Sequence, residues 1–242
     1  MSLINIMYHH LNSDRCSNNA EIFEEHLKYI KSNFTPIFAG EEVNKKCVCL
    51  TFDDAYADFY FLTFPLLKKY GIKAILAVPS KYILDDTNVS PETRMGFEHN
   101  DLFQNYEKAT FCTFKELKEM IDSGLVQIAS HSHSHVVLTG DGVDLKAELK
   151  DSKEILENKL GVKVDSFFFP FGKYNQEILA QTLQEYKFAF RIGNAVHKDF
   201  SGINGVIYRI NGDGLKNASE IFSFKNMLKY KFKALLKRLS KK

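Results

Sequence analysis

The stretch CVCLTFDDAYADF, residues 47–59, opens with six apolar or hydroxyl-bearing residues and breaks off at two carboxylates, Asp53 and Asp54. A short apolar run with no polar alternation reads as a strand buried on both faces, as in parallel sheets. Cys47 and Cys49 would share one face of it, which suits burial better than pairing or metal binding. The same rhythm recurs outward from there. Residues 3–8, 72–79, 125–130, 164–172, 187–192 and 206–210 read as further strands. Helical patterns separate most of them. One covers 19–33, with Ile22, Phe23, Leu27 and Ile30 on one face, and one covers about 57–69, with a kink expected at Pro65. A third runs from the Thr113/Glu116 capping box to Gly124, a fourth covers 145–160 and closes at Gly161, and a fifth covers about 174–185. Alternating strands and helices imply an α/β chain with a largely parallel sheet, open or closed into a barrel. In either case chemistry gathers at the carboxyl ends of the strands. His9-His10, Asp53-Asp54, HSHSH (131–135) and Pro170-Phe171-Gly172 all fall at such ends.

Composition narrows the classes. Of 242 residues, 45% are hydrophobic and 26% charged, which excludes a disordered chain or a coiled coil. The opening MSLINIMYHHLNSD lacks a basic flank followed by an apolar run, so a cytoplasmic location is expected. The net charge of +2 hides a division: residues 222–242 hold eight Lys/Arg and no acid, leaving 24 basic against 30 acidic side chains in residues 1–221. An acidic body argues against nucleic acid as a partner. Residues 1–221 are expected to form a single domain and 222–242 a basic amphipathic tail. In the tail Phe224, Leu228, Phe232, Leu235 and Leu239 fall at helical spacing. That stripe could pack on the body, or lie on an anionic membrane at its inner face. The polar stretch 80–112 has no clear period and is expected to shape a functional groove.

Five of the eight histidines sit in the two clusters His9-His10 and His131/His133/His135. Two imidazoles and one carboxylate, with a coordination position left for water, make a catalytic rather than a structural metal site. Adjacent carboxylates at a strand end can diverge, one toward a metal and one toward a water.

These residues also carry a family resemblance. TFDDAYADF (51–59), HSHSH (131–135) and FPFG (169–172) resemble, in that order, motifs of the NodB-homology polysaccharide deacetylases, carbohydrate esterase family four, over roughly residues 46–192. The resemblance implies a distorted (β/α) barrel of about seven strands and metal-dependent removal of an N-acetyl group from an amino sugar or glycan. It implies Asp53 as general base, and Asp54, His131 and His135 as ligands of a divalent ion, zinc first, with cobalt, nickel or iron as alternatives. It assigns Pro170, Phe171 and Gly172 to the acetyl groove, the Phe171 N–H helping to hold the oxyanion.

Three departures follow. Ala55 stands where the family has Gly, and Phe168 where it has an Arg that orients the base; Arg209 is the candidate substitute. No histidine follows His197 to supply the family's late general acid, whereas Tyr8-His9 ends the first strand. That arrangement resembles the circularly permuted branch, with its poly-N-acetylglucosamine deacetylases, and makes His9 the acid. His133 is the alternative to His135, and His26, His99 and His197 are expected at the surface. A catalytically idle glycan-binding protein, a deformylase and another amide hydrolase are the alternative functions.

Overall fold

Seven parallel strands close into a ring in the computed structural model, which describes residues 2–240. They are β1 (Ser2–Tyr8), β2 (Lys46–Phe52), β3 (Ala74–Val78), β4 (Val126–Ser130), β5 (Ser166–Phe168), β6 (Phe188–Ile192) and β7 (Ile207–Asn211). Closure falls on β1. It pairs with β2, Leu3 opposite Cys47 and Tyr8 opposite Phe52, and with β7, Ile6 opposite Ile210. The period of two then sorts side chains between two cores. Cys47, Cys49, Ile75, Ala77, Phe168 and Phe190 fill the barrel. Ile4, Ile6, Val48, Leu50 and Leu76 face outward onto a helical layer. That layer comprises α1 (Ala20–Asn33), α2 (Phe64–Tyr70), α3 (Phe114–Asp122), α4 (Ser152–Leu160), α5 (Gln176–Glu185) and α6 (Phe224–Leu239). No helix separates β6 from β7; His197, in the loop between them, forms an antiparallel bridge with Leu3.

Local chemistry sets the element ends. Asn19 caps α1 by accepting the Glu21 and Ile22 N–H groups, and both halves of the Thr113/Glu116 capping box are made. Gly71 and Gly161 end α2 and α4 in the left-handed conformation that glycine adopts without steric cost. The helix expected over 57–69 is different. A wide π-type turn, Phe59–Thr63, leads into α2, so Pro65 lies in a first turn where its missing N–H is not needed.

Two histidines expected at the surface are buried. His26 lies on the inward face of α1 with Phe23 and Ile30; its Nδ1–H donates to the Ala218 carbonyl, and the Tyr8 hydroxyl donates to Nε2 at 2.7 Å. Burial pushes its pKa down to about 4 against the opposing pull of that carbonyl, so it is neutral. His197 is likewise buried, its Nε2 accepting the Tyr208 N–H at 2.8 Å. His99 is half-buried. Hydrogen bonds to both ring nitrogens of His26 and to Nε2 of His197 allow neutral imidazoles into a core, which a polar-residue count does not register. The tail stripe also departs from one expectation. Helix α6 packs on the body through Tyr230 and Ala234, and its leucines and phenylalanines point the other way.

Candidate active site

At the end of β2, Asp54 and Ala55 turn into the left-handed region, with φ of 70° and 56°. That turn splits the two carboxylates, sending Asp53 toward Arg209 and Asp54 toward the histidines that follow β4. Asp54 Oδ1 lies 3.1 Å from His135 Nε2 and 3.5 Å from His131 Nε2. His131 Nδ1–H donates to the Phe168 carbonyl at 2.8 Å, which leaves Nε2 as a bare lone pair. Burial pushes the His135 pKa down to about 4, outweighing the charge of Asp54, so its ring is neutral. The HSHSH loop is held by Glu148, which accepts the His133 and Ser134 N–H groups at 2.9 Å and also the Ser134 hydroxyl.

Asp54 Oδ1 is buried and receives no hydrogen bond among the described residues. A bare carboxylate oxygen facing two imidazole lone pairs is unfavourable alone, and a divalent cation resolves it. The Asp54, His131 and His135 donor atoms all lie within 4.8 Å of one another, so the three residues can hold one ion and leave coordination positions open. A second trio, His9, Cys16 and Asp213, is equally close, but its carboxylate is already engaged by His9.

Across the cleft the ions are paired. Arg209, fully buried, forks onto Asp53, with Nη2 2.8 Å from Oδ2 and Nη1 on Oδ1, and Nη1 also donates to Thr51 Oγ1 at 3.2 Å. Its guanidinium lies 4.5 Å over the Phe168 ring, so the aromatic ring that replaces an expected Arg supports the Arg arriving from β7. Burial would raise the Asp53 pKa; the charge of Arg209, the fork itself and the charge of His9 hold it well below the usual carboxylate range. His9 donates its backbone N–H to Asp213 Oδ1 at 3.1 Å and its Nδ1–H to Oδ2 at 2.7 Å. Its Nε2 faces Asp53 Oδ2 at 4.0 Å. Burial opposes the His9 charge, but the hydrogen bond and charge of Asp213, followed by Asp53 and Asp54, push its pKa up to about 10.

These groups open on a cleft of about 430 Å³, whose wall includes Tyr56, Phe171 and, from the 80–112 stretch, His99, Asn100 and Phe103. Phe103 stacks on His135 at 4.7 Å, and Phe171, 59% exposed, meets the same ring at 4.8 Å. Pro170 and Gly172 form the tight turn beneath it, with Phe171 at φ 57°. Eight of the nine sequence-predicted site residues therefore line one cleft, and the ninth, Pro170, is buried in the turn that carries Phe171. His133 is outside the cleft, bonded to Ser80 Oγ at 2.9 Å, and His10 bridges Asp58 and His99. Sequence reasoning missed Asp213, Glu148 and Phe103. Asp213 had a signal, since Asn211-Gly212-Asp213-Gly214 follows a strand.

A profile of the family described as polysaccharide deacetylase matches residues 40–189, more than half of the chain. YxkH of Bacillus subtilis, which carries the family's name, is 30% identical over 189 residues, 72% of this chain and 58% of YxkH. The poly-beta-1,6-N-acetyl-D-glucosamine N-deacetylase of Escherichia coli is 33% identical over 97 residues, 40% of this chain but 13% of that protein. The chain thus spans just over half of one curated relative and a small part of the other. The structure of the Streptococcus pyogenes deacetylase PplD in complex with acetate covers 95% of this chain and 98% of its own, with a TM-score of 0.72 at 23% identity, a likeness of fold. With the family profile extending from before β2 into β6, and every motif it brings lying at one barrel mouth, the chain belongs to the polysaccharide deacetylase family.

Proposed function

We propose that this protein hydrolyses N-acetyl groups on an amino sugar within a glycan. The observation that carries the reading is the placement of a depressed carboxylate and a protonated imidazole, Asp53 and His9, 4.0 Å apart beside an electron-rich trio of metal-capable donors. Asp54, His131 and His135 would hold the ion, and two imidazoles with one carboxylate suit zinc first, with cobalt, nickel or iron fitting the same donors. Bound there, a divalent ion supplies Lewis-acid polarisation of the acetyl carbonyl and acidifies water. Asp53, ionised and oriented by Arg209, accepts the proton of the attacking water. The Phe171 N–H stabilises the developing oxyanion. His9 keeps Nδ1–H on Asp213 and releases its Nε2 proton to the departing amine. Because base and acid must hold opposite protonation states together, the pH–rate profile is bell-shaped.

The idle-scaffold alternative rests on the missing third-motif Arg and the permuted acid; the Arg209–Asp53 fork and the His9–Asp213 pair favour the hydrolase instead. Polymers of β-1,6-linked N-acetylglucosamine, the substrate named for the Escherichia coli relative, are the first to assay. Acetate release from such oligomers should be lost on chelation and return with added zinc. Absence of acetate from every N-acetylated sugar tried, with the ion bound, would overturn the reading.

A further inference from the structure

Six apolar side chains of α6 face away from the protein. Phe224, Leu228, Phe232, Leu235, Leu236 and Leu239 are 48–82% exposed, and at 100° per residue they fall within an arc of about 120°. The opposite face, with Tyr230 and Ala234, is the one that packs. Both ends of the helix are tied. Ser223 caps the start by accepting the Asn226 N–H, and Asn204 Nδ2 donates to the Lys237 and Ser240 carbonyls at 3.2 and 3.3 Å. Lys237 Nζ also sits 4.0 Å over the Tyr208 ring. The outward direction of the stripe is therefore built in.

An apolar stripe of this kind, interrupted by exposed Lys225 in its first turn, marks a contact surface, and its borders describe the partner. Exposed Lys229 lies along one edge, exposed Lys231 and Arg238 along the other, and no acid occurs from residue 222 onward. A second copy docked stripe to stripe would bring like charges together along both rims. A lone convex helix about 24 Å long also offers no groove for a peptide. No described helix is long and apolar enough to cross a membrane. We propose that α6 lies lengthwise in the surface of an anionic phospholipid bilayer, stripe inward and lysines at the headgroups, holding the barrel as a peripheral membrane protein.

The test is co-sedimentation of the full chain with vesicles of equal phosphatidylglycerol and phosphatidylcholine. The protein should sediment with these, and much less with phosphatidylcholine alone or in high salt. Leu228→Ser with Phe232→Ser should lower partitioning roughly tenfold or more, with unchanged circular dichroism and unchanged turnover of a soluble substrate. Lys229→Gln with Lys231→Gln should weaken binding to the anionic vesicles only. Three results would overturn the proposal: no sedimentation with any vesicle, equal sedimentation of the Leu228/Phe232 variant and wild type, or a dimer by light scattering that this variant dissociates in the absence of lipid binding.

Discussion

The two sides of the barrel mouth are built to opposite rules. On one side each ion has its counter-ion, Asp53 on Arg209 and His9 on Asp213. On the other side Asp54 Oδ1 is buried and unbonded, opposite lone pairs it cannot use. The first side is balanced in charge without a ligand and holds proton donor and acceptor in fixed charge states. The second is incomplete, and its deficit is a positive charge. Paired groups set protonation, whereas an unpaired one sets affinity; placing both within a few ångströms joins proton transfer to cation binding in one cleft.

The largest test sets the two sides against each other. Asp54→Ala should remove the bound ion, measured by elemental analysis, and lower acetate release by about a thousandfold or more, the several kcal/mol that a Lewis acid supplies. Asp53→Asn should lower turnover comparably while retaining the ion. If Asp53→Asn turned over at the wild-type rate, or Asp54→Ala kept its metal, the division between the sides would fail.

A smaller effect separates the proton donor from its partner. With His9 raised to about 10, the alkaline limb of the pH–rate profile lies high, and activity declines as pH rises through that value. The acidic limb falls where Asp53, the base, takes up a proton, well below the usual carboxylate range. Asp213→Asn removes the main support of the His9 charge, so the alkaline limb should move down toward the ordinary histidine value of about 6.5. The stabilisation from this pair is present below that value and lost as pH rises through about 10. Denaturant titrations of wild type and Asp213→Asn should therefore differ most in acid-to-neutral solution and converge in alkali. An unmoved alkaline limb would remove Asp213 from the mechanism.

The smallest effect concerns the hinge between the sides. Ala55, fully buried at φ 56°, occupies a conformation that costs a residue with a Cβ about 1 kcal/mol. Ala55→Gly should raise unfolding free energy by about that amount with the ion still bound. A loss of stability instead would mean that the Ala55 methyl packs well enough to offset the strain.

Much of this was legible from residue order. The run 47–52 is apolar throughout because both faces of β2 are buried, one in the barrel and one under helices. Asp53, Asp54, His131 and His135 were legible because a parallel strand delivers whatever follows it to a common end. His26 was misread because an imidazole in a helical stripe looks like a surface residue until the Tyr8 hydroxyl and the Ala218 carbonyl are known to meet it. Asp213 and Glu148 were missed because each acts on a partner distant in sequence, His9 at 204 positions and the HSHSH loop at about 15.

Alternation of apolar strands with amphipathic helices, and the reactive residues at their ends, are local properties, so residue order alone determined a largely parallel α/β chain and where its reactive residues gather; the barrel itself was an implication of the family resemblance. Ring closure at β1 decided the rest, because only closure brings β7 beside it, so that Arg209 can reach Asp53 and Asp213 can reach His9. Which face of α6 meets the body was likewise a tertiary matter. Periodicity locates a stripe on a helix, whereas the shape of the neighbouring surface decides whether that stripe is covered.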